Sequence, residues 1–223
     1  MTHDARMKDE AGKNEAGKNE ARQPPRERFG DYYSTPKAPW DIGRPQRAFV
    51  EAADTIGGRV LDSGCGTGDL ALWLAERGRT VTGVDFLAFP LEAARRKARD
   101  RGLAVNFLEM DALALGEIPE RFDAVTDCGL FHAFDDASRA AYVRGLARLL
   151  EPGARLFILC MSDAEPGEHG PRRIREQELR TAFADGWEIE TLEPSRFEVV
   201  PGIPGAEFTS GGAWAWFAVI RRT

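Results

Sequence analysis

Residues 60–85 read VLDSGCGTGDLALWLAERGRTVTGVD. An apolar run leads into a turn with glycines at positions 64, 66 and 68, a helical pattern with a terminal glycine follows, and a second apolar run ends on an acid. Three glycines permit a sharp turn and remove the Cβ atoms that would keep a ligand away from the backbone. The stretch therefore predicts a strand–turn–helix–strand unit with a ligand at its turn.

Strands and helices alternate outward from this unit. We predict strands at 58–64, 80–86, 104–112, 122–130, 154–162, 187–194 and 213–222, and helices from about Pro45 and at 69–78, 91–102, 136–153 and 174–186. Such alternation predicts a parallel sheet with helices on both faces. The last two strands have no helix between them, so we expect the last one to be antiparallel.

The two ends of the chain differ in character. Residues 1–28 are low in apolar content and repeat the sequence AGKNE, which predicts a disordered charged tail. Residues 29–223 are expected to form the folded domain. Within it, residues 29–57 are aromatic and proline-rich before a helical pattern, which predicts a lid and a helix at the entrance to the domain.

Composition argues against several classes of protein. The net charge is -6, without a basic block outside the tail, which argues against a nucleic-acid partner. No apolar run is long enough to span a membrane, and the charged start MTHDARMKDE is unlike a secretory signal. The three cysteines are widely spaced and form no zinc pattern, so we expect no metal and a reducing, cytoplasmic setting.

Three acids are expected at the carboxyl ends of neighbouring strands, where open α/β sheets bind ligands. Asp62 precedes the first glycine, Asp85 ends the second strand and Asp111 ends the third. An acid in the position of Asp85 can accept hydrogen bonds from both ribose hydroxyls of an adenosine. The dinucleotide pattern G-x-G-x-x-G needs a small residue where Asp69 stands, which disfavours a nicotinamide enzyme.

The glycine turn and Asp85 resemble motif I and the ribose acid of class I S-adenosylmethionine-dependent methyltransferases, and the order of elements resembles that fold over roughly residues 40–223. The resemblance implies a Rossmann-like, seven-stranded, mostly parallel sheet with an antiparallel last strand, and S-adenosyl-L-methionine as cofactor. It places cofactor contacts at Trp40, Asp62, Gly64, Cys65, Gly66, Gly68, Asp85, Phe86, Asp111, Ala112, Asp127 and Cys128.

Three further segments are similar to the methyltransferases that act on thiols, halides, thiopurines and heterocycles. They are PWDIGRPQ (39–46), DCGLFHAF (127–134) and GPRRIREQEL (170–179). In that group the Trp-x-x-Gly element covers the methionine end of the cofactor, a role that would fall to Trp40. The chain departs from the usual pattern at Phe89-Pro90, where small residues are more common, so the contact of Phe86 with adenine is less well supported.

The acceptor is expected near the end of the fourth strand. His132 is the side chain there that could act as a general base or bind substrate, although it could equally be packed beneath the following helix. Substrate contacts are expected from Tyr33, Arg44, His132, His169 and Arg173. The N/D-P-P-Y/F/W sequence of many DNA and protein amide-nitrogen methyltransferases is absent.

These observations predict a methyltransferase that acts on a small molecule with a thiol, a heterocyclic nitrogen or a similar compact nucleophile. Two alternatives remain open. A macromolecular methyltransferase would act on RNA or protein and would need a basic rim or a recognition domain. A regulatory protein would bind S-adenosylmethionine without turnover.

Overall fold

The computed structural model describes residues 38–167, 170–203 and 207–223. The tail at 1–28, the first part of the lid at 29–37, Tyr33 and His169 lie outside the described residues. The helices are α1 (Arg47–Glu51), α2 (Asp69–Glu76), α3 (Ala88–Asp100), α4 (Asp136–Leu149) and α5 (Glu176–Ala182). The strands are β1 (Arg59–Ser63), β2 (Thr80–Asp85), β3 (Val105–Glu109), β4 (Phe122–Cys128), β5 (Leu150–Met161), β6 (Trp187–Phe197) and β7 (Ala213–Arg222).

The seven strands form one sheet in the order β3-β2-β1-β4-β5-β7-β6. The pairs among β1 to β5 are parallel, whereas β7 is antiparallel to both β5 and β6. The predicted sheet and its antiparallel last strand are therefore confirmed. The chain order reverses between β1 and β4, so the connections that follow these two strands diverge and leave a crevice at their carboxyl ends.

The core lies on both faces of the sheet because successive strand residues point to opposite sides. Leu61 of β1 packs on one face with α4 and α5, and Val60 packs on the other face with α1, α2 and α3. Both residues are fully buried. Covering both faces leaves the edge formed by the carboxyl ends of the parallel strands as the place where polar loops gather.

Several predicted boundaries were wrong. The helix predicted at 136–153 ends at Leu149, because Leu150 already pairs with Phe122 of β4 and starts strand β5. The strand predicted at 104–112 covers only Val105–Glu109, and a 3-10 helix follows at Ala112–Glu117, with Asp111 accepting a hydrogen bond at its start. Among the described residues, no helix is both long and apolar enough to cross a membrane.

Candidate active site

The glycine turn is held in a backbone conformation that side chains resist. Gly64, Gly66 and Gly68 have φ values of 68°, 52° and 80°. A Cβ atom on Gly68 would stand 2.8 Å from the Cβ of Ala94 in α3 and 3.1 Å from the ring of Phe107 in β3. The turn therefore needs glycine at position 68 for two reasons, its φ angle and the close approach of α3 and β3.

Asp85 holds the glycine turn from the end of β2. Its Oδ2 accepts a hydrogen bond from the backbone N–H of Gly66 at 2.9 Å, and its Oδ1 accepts one from that of Leu87 at 3.0 Å. Burial raises the pKa of this carboxyl, and the backbone donors act in the opposite direction. Each carboxylate oxygen can accept more than one hydrogen bond, so Asp85 keeps acceptor capacity beside the turn.

Asp62 lies inside the sheet. Its Oδ1 accepts a hydrogen bond from the hydroxyl of Thr126 in β4 at 2.8 Å, and the residue is only 2% exposed. Burial raises its pKa to about 7. This placement favours a supporting role beneath the turn over the direct cofactor contact that the sequence predicts.

Asp127 fixes the turn that follows β4. Its Oδ1 accepts hydrogen bonds from the backbone N–H groups of Leu130 and Phe131, at 2.8 and 3.2 Å. Its Oδ2 accepts one at 3.0 Å from the Tyr142 hydroxyl, which also lies 3.1 Å from Oγ of Ser63. Asp127 is fully buried, which raises its pKa to about 6. The predicted contact of Asp127 with the cofactor stays a prediction, and the hydrogen bonds observed here hold the turn after β4.

The buried pair Tyr142 and Ser63 was missed by sequence reasoning. Tyr142 belongs to the buried face of α4, where its spacing reads as ordinary core. Ser63 and Asp127 are register partners in neighbouring strands, which brings both within reach of the one hydroxyl. The pairing of β1 with β4 and the packing of α4 over β4 together create this network.

His132 is packed rather than open. Its Nδ1 accepts a hydrogen bond from the backbone N–H of Met161 at 2.9 Å, so the neutral ring carries its proton on Nε2. Burial, aided by the positive charges of Arg173 and Arg139, lowers the pKa of His132 to about 3. The ring also contacts that of Phe197, with centroids 5.7 Å apart. This geometry favours packing over the general-base role.

The remaining predicted cofactor residues lie at or near this edge. Trp40, Cys65 and Cys128 are partly buried and pack against the core cluster on the face of α1, α2 and α3. Burial raises the pKa of both thiols well above the usual value. Phe86 is partly buried, Asp111 is exposed and Ala112 is buried.

The segment that is predicted to form a lid contacts the glycine turn through Asp41. The hydroxyl of Thr67 donates to Oδ1 of Asp41 at 3.2 Å and accepts a hydrogen bond from Nζ of Lys97 at 3.0 Å. Lys97 also pairs with Asp69 at 2.8 Å. Asp69, the residue that disfavours a dinucleotide site, therefore forms an ion pair with a lysine of α3. The sequence does not indicate this partner.

Arg44 and Arg173 hold loops in place. Arg44 forms a two-pronged ion pair with Glu198, with N–O distances of 3.0 and 2.7 Å, which raises the pKa of Arg44 and lowers that of Glu198. Arg173 donates to the carbonyl oxygens of Glu165 and Pro171 at 3.2 and 2.7 Å. Both arginines were predicted to contact substrate, and here each organises a loop that borders the edge.

A cleft of about 690 Å³ opens at this edge. Ile42 and Arg44 contribute to one side, and the connection between β6 and β7 contributes residues 198–203 and 207–212. Apolar side chains such as Val199 and Phe208 line much of it, with Glu198 and Glu207 as the acids. Its size is within the range of small-molecule sites.

The glycine turn and the nearby carboxylates fit an adenosine-containing cofactor. The backbone of the turn is free of Cβ atoms at three positions, and the Asp85 carboxylate stands beside it with acceptor capacity for ribose hydroxyls. Asp111, at the end of the next strand, accepts from the backbone N–H of Leu113 at 2.9 Å and is exposed. The arrangement agrees with the binding of S-adenosylmethionine between β1, β2 and β3.

Comparisons with known proteins agree with this geometry. Residues 60–153 match the family described as "Methyltransferase domain". The chain is 33% identical over 182 residues to the 2-heptyl-1-hydroxyquinolin-4(1H)-one methyltransferase of Mycobacteroides abscessus. The match covers 79% of this chain and 78% of that protein. It is 45% identical over 132 residues to the demethylmenaquinone methyltransferase of Thermus thermophilus, which covers 58% of this chain and 59% of that protein.

A solved structure described as "Conversion of a Disulfide Bond into a Thioacetal Group during Echinomycin Biosynthesis" superposes with a TM-score of 0.73 at 39% identity, covering 82% of this chain and 84% of that one. The chain belongs to the class I S-adenosylmethionine-dependent methyltransferases. It is an enzyme that uses S-adenosyl-L-methionine, which removes the alternative of a binding protein without turnover.

The buried acids make a pH-dependent stability testable. The folded pKa of Asp62 is raised to about 7, so its neutral form is favoured by folding, and this contribution is lost as pH rises through that value. Asp62→Asn mimics the neutral form and keeps an acceptor for Thr126. We expect its melting temperature, relative to the parent, to rise by several degrees between about pH 5.5 and about pH 8.

Differential scanning fluorimetry of both proteins across this pH range, without ligand, measures the difference directly. Subtracting the parent removes the titration of His132, whose lowered pKa acts in the opposite direction below its ordinary value. A difference that stays constant with pH would show that Asp62 titrates alike in the folded and unfolded chain.

Proposed function

We propose that the chain methylates a compact small molecule whose reacting atom is a good nucleophile without help from the protein, such as a heteroaromatic thiol or a related heterocycle. The observation that carries the proposal is the engagement of His132 Nδ1 by the backbone N–H of Met161 at 2.9 Å. Because Nδ1 is occupied and Nε2 carries the ring proton, His132 has no free nitrogen lone pair with which to take a proton from the methyl acceptor. Asp127 already accepts three hydrogen bonds and is fully buried.

An acceptor that ionises by itself avoids the need for a base. Thiols have an ordinary pKa of roughly 8.5, so a useful fraction is thiolate near neutral pH, and heteroaromatic thiols are more acidic. Two relatives support this class of acceptor. The protein of Mycobacteroides abscessus is named for an N-hydroxylated heterocycle, and the superposed structure concerns a reaction at the sulfur atoms of a disulfide.

S-adenosylmethionine, when bound, supplies an electrophilic methyl group on a sulfonium sulfur. The chain's own part is to bind, align and exclude water. Asp85 and the glycine turn hold the adenosine side, and the turn fixed by Asp127 shapes the floor beside β4. The acceptor releases its proton to solvent beforehand. Its sulfur then forms a bond to the methyl carbon as the carbon–sulfonium bond breaks, which leaves S-adenosylhomocysteine.

The pH dependence of the rate tests this proposal. A panel of thiols, phenols and heterocycles is first assayed for S-adenosylhomocysteine formation. For two active thiols that differ in acidity, kcat/KM is expected to rise with pH and level off at the pKa of each free thiol, because the thiolate reacts. An inflection at the same pH for both thiols would assign the proton transfer to the enzyme and contradict the proposal.

A substitution at His132 provides the matched control. His132→Asn keeps an oxygen that can accept from the Met161 N–H, and it removes the imidazole. We expect kcat to fall less than about tenfold, whereas loss of a positioned general base costs roughly 10²–10⁴-fold. Melting temperature, measured alongside, separates a packing defect from a chemical one.

A further inference from the structure

The lid segment and the β6–β7 connection are joined at one residue, Glu198. The side-chain amide of Gln46 forms two hydrogen bonds with the backbone of Glu198, one as donor and one as acceptor. Nε2 donates to the Glu198 carbonyl at 2.9 Å, and Oε1 accepts from the Glu198 N–H at 2.8 Å. Gln46 is only 3% exposed, so this pairing is shielded from water. A buried amide that satisfies a distant backbone residue in this way fixes the spacing of the two segments.

The Glu198 carboxylate adds a second layer. The carboxylate accepts two hydrogen bonds from the guanidinium of Arg44. Its Oε2 also accepts one from the backbone N–H of Arg47 at 3.4 Å. Close by, the backbone N–H of Val200 donates to the carbonyl of Pro39 at 2.8 Å. The contacts made by Gln46, Arg44, Arg47, Pro39, Glu198 and Val200 are called the latch below.

The two segments joined by the latch are also the walls of the cleft. Ile42 and Arg44 lie on the lid side, and residues 198–203 lie on the side of the β6–β7 connection. Strand β6 runs parallel to β5, because both are antiparallel to β7, so this connection emerges at the same edge as the glycine turn. The lid side in turn reaches that turn through Asp41 and Thr67.

We propose that Glu198, together with Gln46 and Arg44, positions the acceptor by setting the width of the cleft. Glu198 is a positioning residue, because it acts through the walls that it joins. The proposal goes beyond the acceptor class, since any molecule in the cleft would depend on the separation of these walls. It predicts an effect on the acceptor that is larger than the effect on the cofactor, which binds on the far side of β1.

The test compares Glu198→Gln with Glu190→Gln. Glu190 forms a similar two-pronged pair with Arg155, at 2.6 and 3.2 Å, and its side chain is 26% exposed, as is that of Glu198. Glu190 also pairs with Arg221 at 3.2 Å, so Glu190→Gln controls for the loss of at least as much ion pairing away from the cleft. Glu198→Gln is expected to raise the KM of the acceptor about fivefold, with kcat and the Kd of S-adenosylhomocysteine changed less than about twofold.

Charge reversal tests whether the ion pair, rather than Glu198 by itself, sets the acceptor KM. Glu198→Arg combined with Arg44→Glu restores the pair, and we expect it to recover most of the acceptor KM that Glu198→Arg alone loses. Arg44→Gln, at an exposed site, gives a second route if a Glu198 variant fails to fold. Unchanged KM in both Glu198→Gln and Arg44→Gln, with folded protein, would overturn the proposal.

Hydrogen–deuterium exchange tests the latch without any acceptor. In Glu198→Gln, peptides that cover residues 38–46 and 198–203 are expected to exchange faster together, while the peptide with the glycine turn stays close to the parent. Glu190→Gln should leave all three unchanged. Exchange at parental rates in both walls would refute the latch, whereas failure of the whole acceptor panel would refute only the proposed acceptor class.

Discussion

Asp85→Ala is expected to lower the affinity for S-adenosylhomocysteine by at least tenfold, because hydrogen bonds to a charged acceptor are each worth about 1.5–3 kcal/mol. The substitution removes the carboxylate that is predicted to accept hydrogen bonds from the ribose hydroxyls. It also frees the backbone N–H groups of Gly66 and Leu87, which now bond to the carboxylate. Loss of the ribose contact and loosening of the turn therefore act in the same direction.

Isothermal titration calorimetry of the folded variant measures this loss. Asp123→Ala is the matched control, because Asp123 also accepts from a backbone N–H, that of Arg59 at 2.7 Å, at the opposite edge of the sheet. We expect that variant to bind S-adenosylhomocysteine like the parent. If Asp85→Ala binds as tightly as the parent, the ribose role is wrong.

Gly68→Ala is expected to destabilise the fold and to weaken cofactor binding together. A left-handed φ of 80° costs about 1–2 kcal/mol for a residue with a Cβ. The new atom would also stand 2.8 Å from the Cβ of Ala94, and overpacking of this kind costs about 1–3 kcal/mol more. Because the turn can relieve the overlap only by moving, the affinity for the cofactor should fall by at least about tenfold, which corresponds to at least about 1.4 kcal/mol.

Gly78→Ala separates the two costs. Gly78 has a similar φ of 78°, but a Cβ there would meet nothing within 4 Å. Urea denaturation of both variants should show the larger loss of unfolding free energy for Gly68→Ala, with Gly78→Ala paying only for its backbone angle. Equal losses would mean that the approach of α3 to the turn is not felt in solution.

The sequence could predict the features that are local in the chain. The glycine turn needs its residue types within a few positions, and the spacing from Asp62 to Asp85 is set by one strand–helix–strand unit. The alternation of elements likewise predicted the sheet and the antiparallel β7, which the structure confirms. The spacing of apolar residues indicates a helix or a strand because it depends only on residues that are close together in the chain.

What the sequence could not predict depends on contacts between distant segments. The Tyr142 hydroxyl meets Asp127 only because α4 packs over β4, and Gln46 meets Glu198 across 152 positions. His132 was a candidate base because nothing local shows that the backbone of β5 occupies its Nδ1. The chemistry available to His132 or Gln46 therefore depends on which backbone group of a distant segment forms a hydrogen bond with its side chain.

The insertion of β7 between β5 and β6 has a consequence for how the molecule assembles. Strand β6 is made before β7, yet among the residues that the structure describes its one strand partner is β7. Until residues 213–222 are available, the edge of β5 remains open and β6 has nothing to join. The β5–β7–β6 end of the sheet therefore closes in a single late step, through contacts that are distant in sequence and slow to form. We expect newly made chains to be most prone to aggregate just before that step, when two unpaired strand edges are exposed at once.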